Sequence, residues 1–332
     1  MMKSVYVKAP YEFQFREEPL PVAGVNEVLV DVAYCGVCGS DLTLARQEAR
    51  EWTALGHEVS GIVRAIGPGV GHVQVGEAVA LDCGNNCGVC PECRAGRPRR
   101  CTALLGFYGT RSGYADVLLA HAQNVHPIGA LDLKTACLLE PYGVAMNLFT
   151  CLDIDFLDDV LLIGPGPIGL LALATCRARG ARSLTTVARS QSARLQYAAS
   201  MGAETAVVPG VLPAYFHDRF DKVILTAPPD LLPDAVRACR TNGIIAYCGL
   251  GAAGQPVVAL DWDQIHGKNV QIRPMGETPG HLPQCLELLR RGIVDPDRFI
   301  SHTFPRDRIV EAFDFINTHR DKVIKVAIEV GG

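Results

Sequence analysis

Four cysteines stand within fifteen residues, Cys87-x₂-Cys90-x₂-Cys93-x₇-Cys101, in a segment of Gly, Asn, Pro and Arg that offers little to a hydrophobic core. Such a lobe cannot hold its shape by apolar burial. Tetrahedral zinc bound by four thiolates would supply the missing folding energy, and the spacing is that of a structural zinc site rather than of scattered free thiols. Arg94, Arg97, Arg99 and Arg100 could offset the negative charge of such a centre; as a solvated charge run they read equally well. Cys83, farther away at the end of a predicted strand, stays outside the set.

A second group is dispersed: Cys38 in Cys35-Gly36-Val37-Cys38-Gly39-Ser40-Asp41, then Gly56-His57-Glu58, then Glu140-Pro141. Singly, these read as a buried thiol, a satisfied histidine and solvated carboxylates. Together they offer the S, N and O donors of a catalytic zinc, with one position left for water or substrate. Cys35 reads as a core thiol at a strand end, because no second pair completes a metal knuckle with Cys38. Glu140 lies in an otherwise apolar stretch, where an unpaired carboxylate would be costly.

A third pattern binds rather than reacts. The apolar run Val160–Ile163 leads into Gly164-Pro165-Gly166-Pro167-Ile168-Gly169, and a helical run, Leu170–Arg179, follows and closes at Gly180. This is the strand–turn–helix context that a dinucleotide fingerprint requires. Gly164 allows the tight turn, Gly166 lets the backbone approach a pyrophosphate, and Gly169 lets helix and strand pack closely; the helix start supplies N–H groups to the anion. The second strand, Ser183–Ala188, runs into Arg189-Ser190 and lacks the acid that usually accepts the adenosine ribose hydroxyls. Arg189 could pair with a 2′-phosphate and Ser190 could add a hydroxyl, so NADP is expected ahead of NAD.

These groups need a scaffold, and 332 residues suffice for about two domains. The first ~130 residues read as short strands with Gly/Pro punctuation, an all-β unit: Ser4–Lys8, Glu27–Ala33, Val59–Ile66 and Glu77–Leu81. A helix is expected over Leu131–Thr150. After the fingerprint, strands at Thr205–Val208, Lys222–Thr226 and Ile244–Cys248 alternate with helices at Ser192–Met201 and Leu231–Arg240, the pattern of a parallel sheet. The strand ends Thr226-Ala227-Pro228 and Cys248-Gly249-Leu250 are placed to line the nicotinamide, with Ala227 and Leu250 the expected contacts. A balance of 31 basic against 35 acidic residues leaves no footprint for nucleic acid or an anionic membrane. The most apolar run, Val160–Cys176, is broken by the glycine turn and falls short of the ~20 residues of a membrane span. The N-terminus shows no signal-peptide core, so the thirteen cysteines are expected to be reduced, in a cytoplasm.

With those motifs in that order, the chain resembles the zinc-containing medium-chain dehydrogenase/reductase family, and within it the sorbitol (polyol) and threonine dehydrogenase branch. The resemblance also covers a C-terminal run ending Ile324-Lys325-Val326-Ala327-Ile328. It implies a GroES-like all-β catalytic domain, residues 1–145 and 275–332, carrying the zinc lobe, with a doubly wound α/β Rossmann domain, residues 146–274, between its two parts. It implies Cys38, His57 and Glu58 as ligands or near-ligands of a catalytic zinc, with Glu140 bound directly or through water, and hence two Zn²⁺ per chain. Ser40 would relay the proton, and Asp41 would orient His57. Where many members have a histidine five residues after the zinc cysteine, this chain has Thr43, which leaves the outer end of the proton route open.

The expected reaction is zinc-assisted hydride transfer between a nicotinamide and a secondary alcohol or ketone of a polyol, sugar or cyclitol. A simple-alcohol or aldehyde reductase, or a non-catalytic member of the fold, are the competing readings. Retention of Cys38, Ser40, His57, Glu58 and Glu140 together favours the enzyme. The expected partners are a small-molecule substrate and further copies of the chain, as homodimer or homotetramer.

Overall fold

The computed structural model describes residues 1–249, 257–275 and 280–331. The strand Asp159–Ile163 alternates its side chains between two cores: Val160 and Leu162 face one, Leu161 and Ile163 the other. A strand buried on both faces belongs inside a parallel sheet covered by helices on each side. That sheet has six strands, in the order Glu204–Val207, Ser183–Ala188, Asp159–Ile163, Phe220–Leu225, Cys239–Tyr247 and Gln271–Pro274. The order reverses between the first strand in sequence and the fourth. Their carboxyl ends therefore flank the crevice in which such sheets bind ligands.

The N-terminal half forms a different layer, mainly antiparallel. Its seven-stranded sheet runs Val125–Pro127, Ala78–Leu81, Glu58–Ile66, Glu27–Gly36, Lys325–Glu329 and Ile300–Pro305, with Val117–His121 paired to Glu27–Gly36. Two strands from the end of the chain thus complete a sheet begun at its start. A small sheet of Glu12–Glu18, Met2–Lys8 and Thr53–Ala54 lies apart from it. This is the GroES-like unit, and the parallel sheet is the Rossmann-like one.

The single helix expected over Leu131–Thr150 is two, Leu133–Ala136 and Leu139–Leu152. Pro141 gives the reason. It has no N–H to donate and tolerates only the first turn of a helix, so the chain closes one short helix, capped by the Asp132 carboxylate on Thr135 N, and starts another just before it. The helix expected over Leu231–Arg240 spans Leu232–Ala238, because Cys239 already enters the next strand. Glu12–Glu18 and Val117–His121 are strands that the punctuation did not reveal.

Candidate active site and metal centres

Strand register assembles the dispersed group. Gly36 pairs with Glu58 in the antiparallel pair Glu27–Gly36 and Glu58–Ile66, so Cys38, two residues past one strand, meets His57, one residue before the other. Ala327 pairs with Gly36 on its other side, and Val37 N donates to Val326 O at 2.9 Å, which brings Lys325 to the same end. Ligand atoms of Cys38, His57 and Glu58 lie within 4.8 Å of one another. Glu140 enters from the first turn of the helix Leu139–Leu152 and accepts a hydrogen bond from the Cys83 thiol at 3.1 Å. It is not part of that closest cluster.

Asp41 fixes the group from behind. Wholly buried, its carboxylate accepts from Cys38 N and Gly56 N, each at 3.0 Å, and from the Tyr114 hydroxyl at 3.0 Å. His57 Nδ1 faces Asp41 Oδ1 at 3.6 Å, just beyond hydrogen-bond reach, so Nε2 is the nitrogen turned away from that carboxylate and open to a metal. Burial alone would raise the Asp41 carboxyl, but the charge on His57 and these hydrogen bonds hold it below its usual range. Burial alone would lower His57, and the charges of Cys38 and Asp41 push it well above its ordinary value. The cluster therefore favours a positive charge at the imidazole, the condition that a bound cation would satisfy in place of a proton.

Glu58 is fully buried and paired with Lys325, whose Nζ lies 2.5 Å from Oε1 and also contacts Oε2. Burial would lower the Lys325 ammonium, but Glu58 and then Cys38 hold it above its ordinary value. Burial pushes the Glu140 carboxyl up to about 7 against the opposing pull of His57. Ser40 Oγ is buried near the Tyr108 hydroxyl, with no hydrogen bond of normal geometry among the described residues, while the Thr43 hydroxyl donates to Gly39 O at 3.0 Å and is turned into its own helix. The donor set and the cation-favouring field fit Zn²⁺.

The four-cysteine lobe also closes. Cys87, Cys90, Cys93 and Cys101 lie within 4.8 Å of one another, with Sγ separations of 3.6 Å for Cys87–Cys101 and 4.0 Å for Cys90–Cys101. A tetrahedron with zinc–sulfur bonds of about 2.3 Å has edges of about 3.8 Å, so the sulfurs stand where a zinc would need them. Backbone N–H groups of Thr102 and Cys93 draw the Cys90 thiol down to about 6, toward the thiolate that binds metal. Between residues 84 and 106 only Cys87 is buried, so the lobe has no apolar core. Arg97 pairs with Glu92 at 2.8 Å. Cys83 sits at Glu140, outside the lobe, and Cys35 is in the core.

At the crevice of the parallel sheet a groove of about 500 Å³ is lined by Gly164, Gly166, Arg189, Ser190 and Ala227. Gly164 has φ +86°, and a Cβ there would stand 2.8 Å from Ala227 Cβ. A Cβ on Gly169 would meet Thr226 Oγ1 at 2.6 Å, whereas one on Gly166 would meet nothing within 4 Å, leaving that face open to a ligand. Not every expected contact lines the groove. Gly169 is taken up by helix–strand packing, Ile168 packs against the core, and Pro167 faces an adjoining pocket with Gly39, Thr43 and Arg46. Leu250 lies outside the described residues. Arg189 is exposed and 3.7 Å from Asp230.

Some site residues carried no readable signal. Arg194 and Arg320 line the groove from positions 126 residues apart, and Tyr108 stands against His57 from the far side of the zinc lobe. Lys325 could have been found: it is the one charge in the apolar run Val323–Ile328.

Comparison with known proteins agrees with this geometry. Residues 24–130 match the alcohol dehydrogenase GroES-like domain and residues 167–291 the zinc-binding dehydrogenase domain. An L-threonine 3-dehydrogenase from Saccharopolyspora erythraea is 30% identical, the alignment covering 91% of each chain. The crystal structure of the alcohol dehydrogenase RspB from E. coli CFT073, complexed with NADH, is 27% identical with a TM-score of 0.90 over 99% of both chains. That of a putative zinc-binding dehydrogenase from Sinorhizobium meliloti bound to NADP is 25% identical, with a TM-score of 0.89 over 99% of both. The chain belongs to the zinc-binding medium-chain dehydrogenase/reductase family, related to threonine dehydrogenase and to similar sugar and polyol dehydrogenases.

Proposed function

We propose that the protein is a zinc-dependent, NADP-preferring dehydrogenase that interconverts a secondary alcohol of a polyol, sugar or cyclitol with its ketone, in the cytoplasm and as a homo-oligomer. The observation that carries the reading is the convergence of Cys38, His57 and Glu58, whose ligand atoms lie within 4.8 Å of one another. Cys38, His57 and one carboxylate, Glu58 or Glu140, would hold the metal, which when bound acidifies an alcohol or polarises a ketone. Asp41 keeps His57 in the required orientation and tautomer. Lys325 neutralises Glu58, so that the site need not hold a bare second carboxylate. Ser40 Oγ is placed to receive the proton of the reacting hydroxyl, and a nicotinamide held by the groove residues would supply the hydride acceptor. Because Thr43 is turned into its own helix, the proton leaves Ser40 by another route.

NADP is proposed because Ala188, Arg189 and Ser190 form the groove wall at the end of the second strand, where an NAD enzyme usually presents an acid. The exposed pair of Arg189 with Asp230 is worth little and could be exchanged for a 2′-phosphate. The test follows nicotinamide absorbance with a panel of polyols, sugars and simple alcohols and both cofactors. Turnover should appear with secondary alcohols, with kcat/KM at least tenfold higher for NADPH than NADH in the reverse direction, and Arg189→Asp should remove most of that preference. A preference for NADH in the unmutated protein would end the NADP assignment, and no turnover with any alcohol would end the reading of the reaction.

A further inference from the structure

Both carboxylates near the metal cluster have a partner in the protein, and the two partners differ in strength. Glu58 is tied to the buried ammonium of Lys325. Glu140 is tied to a thiol: Cys83 Sγ donates to its Oε1 at 3.1 Å. A charge-assisted pair in the interior holds far more firmly than a thiol, which is a weak donor. Both ends of the weaker bond are nevertheless fixed. Cys83 lies two residues past the strand Ala78–Leu81, and the chain there is clamped: Phe107 N–H donates to Cys83 O at 3.2 Å, Asp82 N–H to Asn124 O at 2.8 Å, and the amide of the buried Asn124 to Asp82 O at 3.0 Å. Glu140 stands in the first turn of the helix Leu139–Leu152, between the buried Leu139 and Pro141. The fields of His57 and Glu58 both act on its carboxyl, so it is a further donor at hand for the same metal. Yet it lies outside the set that Cys38, His57 and Glu58 form.

We propose that Cys83 is a positioning residue: its thiol holds the Glu140 carboxylate beside, rather than on, the metal that Cys38, His57 and Glu58 would bind, and so keeps a coordination position open for the alcohol. The inference rests on the metal-site reading above and deepens it. A carboxylate in the interior that loses its hydrogen bond takes the next partner in reach, and here that partner is the metal. A catalytic zinc works with three protein ligands and one open position, which a fourth ligand would close. One hydrogen bond to a charged group shifts such a competition about tenfold.

The test uses full-length protein whose lobe keeps its zinc, and measures metal affinity at the Cys38–His57 site by competition with a chelator and the absorption of that site loaded with Co²⁺. Cys83→Ala should bind the metal about tenfold more tightly and change the cobalt d–d bands, because Glu140 has joined the coordination; damage to the fold would loosen the metal instead. Cys83→Ser keeps a donor and should stay within about twofold of the parent in affinity. In a Glu140→Gln background, Cys83→Ala should change neither reading. In alcohol turnover Cys83→Ala should raise KM about tenfold and leave kcat within about twofold, as expected when a ligand must be displaced before substrate binds. An unchanged or weakened affinity in Cys83→Ala, or the same shift in the Glu140→Gln background, would overturn the proposal. So would the loss of a thiolate-to-cobalt band, which would make Cys83 a ligand itself. If the unmutated protein takes up metal in the lobe alone, the metal-site reading falls and the proposal falls with it. If it takes up both metals but turns over no alcohol, only the reading of the reaction falls, and the affinity and the cobalt spectrum still decide the role of Cys83.

Discussion

At the scale of single residues the site is a set of buried charges that compensate one another. Glu58 and Lys325 illustrate the cost of breaking such a set. Both are almost inaccessible to water, so removing one leaves the other desolvated and unpaired, whereas removing both removes the penalty. Lys325→Met should therefore destabilise the protein by about 3–5 kcal/mol, and adding Glu58→Met should recover most of that loss; urea melts of the single and double variants make the comparison. Additive losses would mean that the pair is not coupled as the 2.5 Å contact implies. Glu140 is a different case, a carboxyl that burial has raised to about 7 and that meets a thiol rather than a cation. Glu140→Gln keeps its shape and should lower kcat at least tenfold while shifting the melting temperature by only about 2–4 °C. Unchanged kinetics would make Glu140 a structural residue.

At the scale of elements, the fold places these residues by strand register and sheet order, and charge secures the sheet at the end away from the groove. Asp159, at the start of its strand, accepts from Arg182 Nε at 2.9 Å and Ser183 at 2.6 Å, and lies 3.0 Å from Arg240, which also reaches Asp221 at 2.8 Å. The bonded Arg182 guanidinium, outweighing burial, holds the Asp159 carboxyl down to about 2. The unfolded chain binds that proton near ~4. The pairing therefore stabilises the protein above about pH 4, and its contribution fades as pH falls toward about 2. Asp159→Asn should cost about 1 kcal/mol at neutral pH, no more because the network is partly exposed, and the gap to the parent should narrow by about pH 3. A gap independent of pH would sink this account. The same elements show what a sequence can disclose. Val160–Ile163 and its glycine turn were readable because a buried strand, a φ-positive glycine and a helix start each demand particular residues locally. The break at Cys137–Leu138 was readable only in hindsight, from Pro141. Tyr108, Arg194 and Arg320 were not readable, since their proximity to the site is created by packing between segments far apart in the chain.

At the scale of the whole molecule, the two clusters able to hold a metal among the described residues would, on the proposed reading, divide the labour between a lobe that needs zinc to fold and a cleft that needs it to react. The lobe has no apolar core, so Cys90→Ser should remove one zinc and leave residues 84–106 open to proteolysis, with loss of stability on the order of several kcal/mol. Cys38 sits at the end of a sheet whose own core is extensive, so Cys38→Ser should remove the other zinc and the activity with little change in melting temperature. Equal destabilisation by both would contradict the division. The helix Leu139–Leu152 belongs to a core that includes Ala80 and Ala327 of one sheet and Val160 and Leu162 of the other, so the two sheets that carry the candidate metal cluster and the groove are joined through packed side chains. On the reading proposed above this joint serves zinc-dependent hydride transfer, and the most direct test is the rate of nicotinamide reduction by a secondary alcohol before chelation, after selective removal of the zinc bound at Cys38 and His57, and after zinc is restored. The account predicts that activity falls with the zinc bound at Cys38 and His57 and returns with it, while the zinc of the lobe stays in place. Undiminished turnover in protein shown by metal analysis to retain only the lobe's zinc would contradict it.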